Sequence, residues 1–361
     1  MTAKPAVSKG GSKHEQLQDR GYREAMRDAI GTQWRSVWKP IPAVIASEDP
    51  EAVHKVRVAS RRLRAAMDVG VDAFPRKWYR PLHKTAKRIT RALGEVRDRD
   101  VMLEALARER KRSTGPERRA IDHLIADITR DRKRARKAMV RFLAELDDEG
   151  VRKETKRRFP RPKRGRAALG GTPGDQHPQG DARTHRADGG PDDAGEPGTS
   201  RHAPMLSLDP GSSLETNARG VLAVRIEDLF RYGPIIPDAE ASEALHDARI
   251  ATKRLRYTLE LFPSVFGEDG GRAIDGLKDL QEELGVLHDH DVRIALLVER
   301  LSHLGDDNDP KANELRAGFE ALLQRERDAR ATSHAAVVER WYRLEREQFG
   351  ATLRALTVVP E

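Results

Sequence analysis

Residues 54–64 read HKVRVASRRLR, and residues 246–256 read HDARIATKRLR. A second block follows each in the same order, LGEVRDRDV at 93–101 and LGVLHDHDV at 284–292. The two pairs are offset by 192 and 191 residues, so their registers differ by one. Two ordered matches at nearly one offset mark an internal repeat, and a repeat restricts the fold more than any local pattern does. Whatever the first half builds, the second half builds again.

The repeated pattern has a helical period. At about 100° per residue, His54, Arg57, Arg61 and Arg64 lie on one stripe, as do His246, Arg249, Lys253 and Arg256. An apolar stripe runs beside each. It is Val53, Val56, Leu63 and Met67 in the first copy, interrupted by Ser60, and Leu245, Ala248, Leu255 and Leu259 in the second, interrupted by Thr252. The basic row therefore borders a packed face instead of lying opposite it. A solvated helix face mixes signs, because acid–base pairs one turn apart support a helix and like charges weaken it. These rows contain no acid, which points to a bound counter-charge.

The rest of the chain reads as helix too. In the first half the pattern predicts helices over 14–47, 50–72, 76–111 and 116–157. In the second it predicts 214–232, 238–262, 270–303 and 309–354. Pro50, Pro75, Pro116, Pro237 and Pro310 sit near helix starts, where the missing N–H costs nothing. No stretch alternates with period two. Residues 158–213 are dense in Gly, Pro, Asp, His and Arg and offer little apolar surface to offset ordering entropy, so they read as a disordered linker. Residues 1–13 read as a disordered tail. The expected architecture is all-α: two four-helix bundles, 14–157 and 214–355, related by an approximate two-fold axis.

Charge identifies the class of partner. The chain has 67 Lys and Arg against 58 Asp and Glu, a net +9, which favours a polyanion. A second row, Arg80, Lys84, Lys87 and Arg91, follows helical spacing in the first half. Its counterpart keeps only Lys278, with Asp275 and Glu282 at the positions of Lys84 and Arg91. The first repeat should therefore hold an anion more strongly. Arg130, Arg134, Lys137 and Arg141 form a further stripe, for which binding and plain solvation weigh equally. Protonated His54 and His246 would donate to a phosphate oxygen and strengthen binding at mildly acid pH.

The RDRD and HDHD blocks raise a metal reading, since His288, Asp289, His290 and Asp291 include metal-ligating types. Adjacent helical residues diverge by about 100° and do not converge on one ion. The first repeat also places Arg97 and Arg99 at the histidine positions. Pairing of Asp98, Asp100, Asp289 and Asp291 with arginines of neighbouring helices is the favoured reading. The chain has no cysteine, which excludes disulfides and thiolate chemistry, and it has no phosphate-binding glycine loop, HExxH or GxSxG motif. A binder without catalytic residues, metal or cofactor is expected. No apolar run is long enough to span a membrane, and the N-terminus lacks the apolar segment of a signal peptide, so a cytoplasmic protein is expected.

The segments VHKVRVASRRLRAAM and LHDARIATKRLRYTL, each followed by its LG block, resemble the CHAD domain, the conserved-histidine α-helical domain. The resemblance covers nearly all of the chain outside the tail and the linker. It implies two four-helix bundles enclosing a basic cleft or channel, with His54 and His246 at the family's histidine positions. It also implies binding of inorganic polyphosphate, often at polyphosphate granules in bacteria. CHAD domains are commonly fused to a CYTH triphosphate-tunnel domain, whose E-x-E-x-K strand this chain lacks, so a stand-alone CHAD protein is expected. Few aromatics interleave with the basic rows, as a platform for single-stranded nucleic acid would require, so nucleic acid is the second choice of partner, as ligand or through a scaffold role for the linker. A metal-dependent phosphohydrolase using the HDHD block ranks below it.

Overall fold

A computed structural model describes residues 21–161, 208–305 and 309–359. Among these residues there is no strand, only an isolated bridge between Gly21 and Ser213. The first half holds α1 (Tyr22–Trp38), α2 (Ile41–Ala46), α3 (Pro50–Val69), α4 (Arg76–Arg110), α5 (Gly115–Asp148) and α6 (Val151–Arg158). The second holds α7 (Leu214–Phe230), α8 (Ser242–Leu261), α9 (Pro263–Ser302), α10 (Pro310–Arg346) and α11 (Phe349–Ala355).

The helix starts follow local chemistry. Asp49 precedes Pro50 and accepts from the Glu51 N–H at 2.9 Å, and Asp309 precedes Pro310 and accepts from the Lys311 N–H at 2.9 Å. In each case a carboxylate satisfies an orphan donor of the first turn, and proline occupies a position that needs none. Three expected helices are divided in two. Pro40 and Pro42 separate α1 from α2. Gly150, at φ 71°, reverses the chain between α5 and α6, a conformation that L side chains avoid. Gln348, at φ 54°, divides α10 from α11. The helix expected over 270–303 begins earlier, at Pro263, with a kink at Gly267, and the one expected from 238 begins at Ser242.

The linker is shorter at both edges than its composition implies. Phe159 is buried and packs edge-on against Phe74 and Trp78, so hydrophobic burial fixes the end of α6. At the other edge, Asp209 accepts from the Gly211 N–H and the Ser212 hydroxyl, and the Ser213 hydroxyl caps α7. Residues 162–207 of the expected linker, the expected tail 1–13 and the expected helical stretch 14–20 lie outside the described residues.

Helices next to one another in the chain pack on one another in each half, and both halves share one apolar core. All eight residues of the two apolar stripes are buried there, and so are the interrupting Ser60 and Thr252. Those two hydroxyls donate to their own helix, to Arg57 O and Ala248 O at 2.8 Å each, which makes a buried polar group tolerable. The halves meet where α1 packs on α7 beside the Gly21–Ser213 bridge, and at two places further along the chain. One is the contact of α3 with α8. The other lies at the far ends of the long helices, where Leu106, Ile121 and Leu124 pack with Leu297, Phe319 and Leu322. There α10 crosses the start of α5 so closely that a Cβ on Gly318 would lie 2.3 Å from the Pro116 carbonyl oxygen. Arg325 ties this end down by pairing with Glu109 and Glu117.

Candidate functional site

The contact of α3 with α8 brings the two basic rows together. Arg57 and Arg249 are each only 1 % exposed, and Arg61, Lys253 and Arg256 are buried as well. These side chains lie well inside the packed face, because the opposite repeat covers them. The Tyr257 ring sits between the repeats, 5.9 Å from the Arg61 guanidinium and 4.7 Å from that of Arg256. Cations from both halves thus approach one aromatic ring, an attraction that partly offsets their mutual repulsion.

Arg57, Arg249 and Arg256 each have an acidic or amide group nearby. The Arg57 Nη2 donates to Asp98 at 3.1 Å. Arg256 donates to Gln281 at 3.0 Å and to Glu260 at 2.8 Å. Arg249 is lowered to about 9, first by burial and then by the nearby Arg61 and Arg57, while Asp289 opposes the shift. It is still charged at neutral pH. The first repeat's cations thus act on the second repeat's central arginine, which places both rows around one junction.

The LG glycines have a spatial role here. A Cβ at Gly94 would lie 3.9 Å from Arg57 Nε, and one at Gly285 would lie 3.8 Å from Arg249 Nε. A mid-helix glycine costs up to about 1 kcal/mol relative to alanine. At these distances a methyl would make ordinary contact, so only a longer side chain would displace the guanidinium.

The RDRD and HDHD residues point apart, as their spacing requires. Asp98 meets Arg57, Asp100 meets Arg132, and Asp291 meets Arg330, which also donates to Ser242 Oγ at 2.7 Å. His290 bonds Glu326 at 2.6 Å, away from the junction. His288 faces His246 with 3.3 Å between the Nδ1 atoms. Among the described residues no group of three potential ligands is placed to hold a metal.

His246 is shifted away from the value of an exposed imidazole. Burial lowers it to about 4, with further push from His288 and Lys253, and burial with Arg249 lowers His288 to about 3. The contact itself requires one bare Nδ1 to accept, so it excludes a pair in which both rings are protonated. His54 lies half-buried one turn before Arg57.

The remaining cations lie further out. Arg64 reaches Asp68 at 4.0 Å, and Asp68 also bonds His83 at 2.7 Å. Arg80, Lys84, Lys87 and Arg91 are exposed along α4. Lys278 is exposed and pairs with Asp275 at 2.8 Å. The α5 stripe carries mixed charge. Arg130, Arg134 and Arg141 pair with Asp127, Asp131 and Glu145 of their own helix, and Lys137 is exposed. Sequence reasoning missed Tyr257, Gln281 and Arg225, the last lowered by burial and by Arg254 of its own half, with Asp228 and, from the other half, Asp68 opposing the shift.

With this geometry in hand, the comparisons are specific. A family model for the CHAD domain matches residues 28–298. The chain belongs to the CHAD family. That family is linked to polyphosphate binding. The fold is similar to the crystal structure of the CHAD domain from the plant Ricinus communis, with a TM-score of 0.61 and 22% identity, covering 90% of this chain and 93% of that one. It is also similar to PptA from Streptomyces chartreusis, with a TM-score of 0.53 and 13% identity, covering 90% of this chain and 100% of that one. Among curated proteins no relative matches. No described helix is long and apolar enough to cross a membrane.

Proposed function

We propose that this CHAD protein binds inorganic polyphosphate at the junction of α3 and α8, as a binder without hydrolase chemistry, and that it acts at polyphosphate granules in a bacterial cytoplasm. The observation that carries the reading is the convergence of Arg57, Arg61, Arg249 and Arg256 from both repeats, with Arg249 depressed by the other half's arginines. Like charges gathered and buried in this way destabilise the empty state, and a run of phosphate oxygens relieves that cost. Guanidinium forks suit bidentate phosphate contact. Polyphosphate offers charge at every unit and no base to stack.

Nucleic acid is the weaker partner on one specific ground. Tyr257, the aromatic ring at the junction, has guanidiniums from both repeats beside it, so it is a poor stacking platform for a base. The test is a titration with long-chain polyphosphate and with single-stranded DNA and RNA of equal charge, at several salt concentrations. Tighter binding to polyphosphate is expected, with affinity falling steeply as salt rises. Equal or tighter binding to nucleic acid would sink the assignment. Arg249→Gln should weaken polyphosphate binding by roughly ten- to a hundredfold, the worth of a charged hydrogen bond, at unchanged helicity.

A further inference from the structure

The outer row on α4 has no counterpart in the second repeat, and its surroundings differ from those of the junction. Residues 76–94 contain seven Lys and Arg and no Asp or Glu. Arg80, Lys84 and Lys87 are exposed, and among the described residues no carboxylate forms an ion pair with any of them. Further along the helix, Arg91 pairs with Glu95 at 3.4 Å. The row is continuous with the junction. Gly94 and Asp98 lie on the flank of α4 that touches Arg57, and Lys87, about two turns before Gly94, acts on Asp68, which meets Arg64 at the end of the α3 row. From Arg80 to Arg91 the tract spans roughly 16 Å of helix. On α9 the corresponding surface is neutralised, with Lys278 held by Asp275 and with Glu282 following.

We infer that α4 is a second, outer binding tract for a polyphosphate chain, so that a chain held at the junction leaves it over the first repeat only. The inference rests on the reading of the junction as a polyphosphate site and adds a chain-length dependence to it. A chain just long enough to fill the junction makes no use of α4. A longer chain lays its next phosphates along Arg80, Lys84 and Lys87, gains affinity there and releases more counterions. The second repeat offers no equivalent path, so the gain is one-sided and saturates once α4 is covered. The complementarity is between an acid-free row of cations and a linear, flexible polyanion.

The experiment compares the wild-type full chain with an R80Q/K84Q/K87Q variant against two probes. One is polyphosphate of about eight phosphates, the size of a typical polyanion contact set, and the other is a long-chain preparation. The variant-to-wild-type affinity ratio is read for each probe, which cancels the statistical advantage of long chains. The expected ratio is near one for the short probe. For the long probe the expected loss is tenfold or more at low salt, with a salt slope flatter by up to about three units, one per lost phosphate contact. All three positions are exposed, so melting temperature and circular dichroism should match wild type. Equal ratios for the two probes, whether both unchanged or both reduced, would overturn the outer tract while leaving the junction in place. If wild type binds neither probe, the junction reading and this inference fall together.

Discussion

Acid is expected to loosen the ligand-free protein through the two facing histidines. Their folded values, about 4 for His246 and about 3 for His288, lie below the ordinary 6.5 of an exposed imidazole. Between those values and 6.5 the unfolded chain binds more protons than the folded one. Stability therefore rises with pH through this window and is lost as pH falls. At pH 5 each unfolded imidazole has gained about 2 kcal/mol from proton uptake that its folded counterpart has not, about 4 kcal/mol for the pair. For a chain of this size that is a fall in Tm of roughly 5 °C between pH 7 and pH 5. The perturbation is the double variant H246Q/H288Q, which keeps polar side chains and removes both titrations. Thermal melts of wild type and variant are compared at half-unit intervals from pH 7 to pH 5, so that carboxylates common to both proteins cancel. The wild-type curve should fall more steeply. Saturating long-chain polyphosphate should flatten the wild-type curve, because a nearby anion favours the imidazolium. By reciprocity, polyphosphate affinity should then rise as pH falls. Parallel curves for the two ligand-free proteins would refute the reasoning, since the pair would then carry no depressed titration.

Gly285→Leu should push the Arg249 guanidinium off the α9 backbone and weaken polyphosphate binding at least tenfold, although leucine favours helix over glycine; unchanged affinity in a titration would remove the spatial role assigned to the LG glycine. Tyr257→Leu combined with Arg61→Met should show a coupling of about 0.5–1 kcal/mol in a double-mutant cycle of denaturant unfolding, and zero coupling would mean that the ring contributes nothing across the repeats.

The helices, their apolar stripes and most of their starts were legible because each depends on neighbours within a few residues. Val53, Val56, Leu63 and Met67 recur at helical spacing, and Pro50 and Pro310 mark starts whose geometry follows from proline alone. What the sequence hid depends on distant partners. Arg57 reads from sequence as a cation at the border of a packed face, and its full burial depends on distant groups such as its carboxylate partner Asp98, 41 residues away. His246 looks like a candidate imidazolium until His288, 42 residues on, faces it at 3.3 Å. Phe159 sits where composition turns polar, and only the ring cluster with Phe74 and Trp78 holds it in the core. The pairing of the α5 stripe is legible from near neighbours, since Asp127, Asp131 and Glu145 stand at three- and four-residue spacing from its arginines. A glycine also stands inside a long helix at the same place in both repeats, beside the Arg57 and Arg249 guanidiniums.

The charge gathered at the junction is tolerated because several groups share it. A buried guanidinium without compensation costs several kcal/mol, and removing one partner of a buried pair is strongly destabilising. Here the cost is divided among different devices. Asp98 neutralises Arg57, Gln281 and Glu260 hold Arg256, and Tyr257 lies between Arg61 and Arg256. Gly94 and Gly285 leave the Arg57 and Arg249 guanidiniums facing bare helix backbone. Both histidines have lowered values, so they add no charge to the junction near neutral pH. Arg249 stands in a balance in which Asp289 supports its charge while burial and two cations of the other repeat oppose it. Under the proposed binding mode a phosphate beside Arg249 would relieve that repulsion as well as form a new bond. Arg57 differs in holding Asp98 at 3.1 Å. The duplication thus sets two equivalent arginines in one junction, and their different neighbours give them unequal roles.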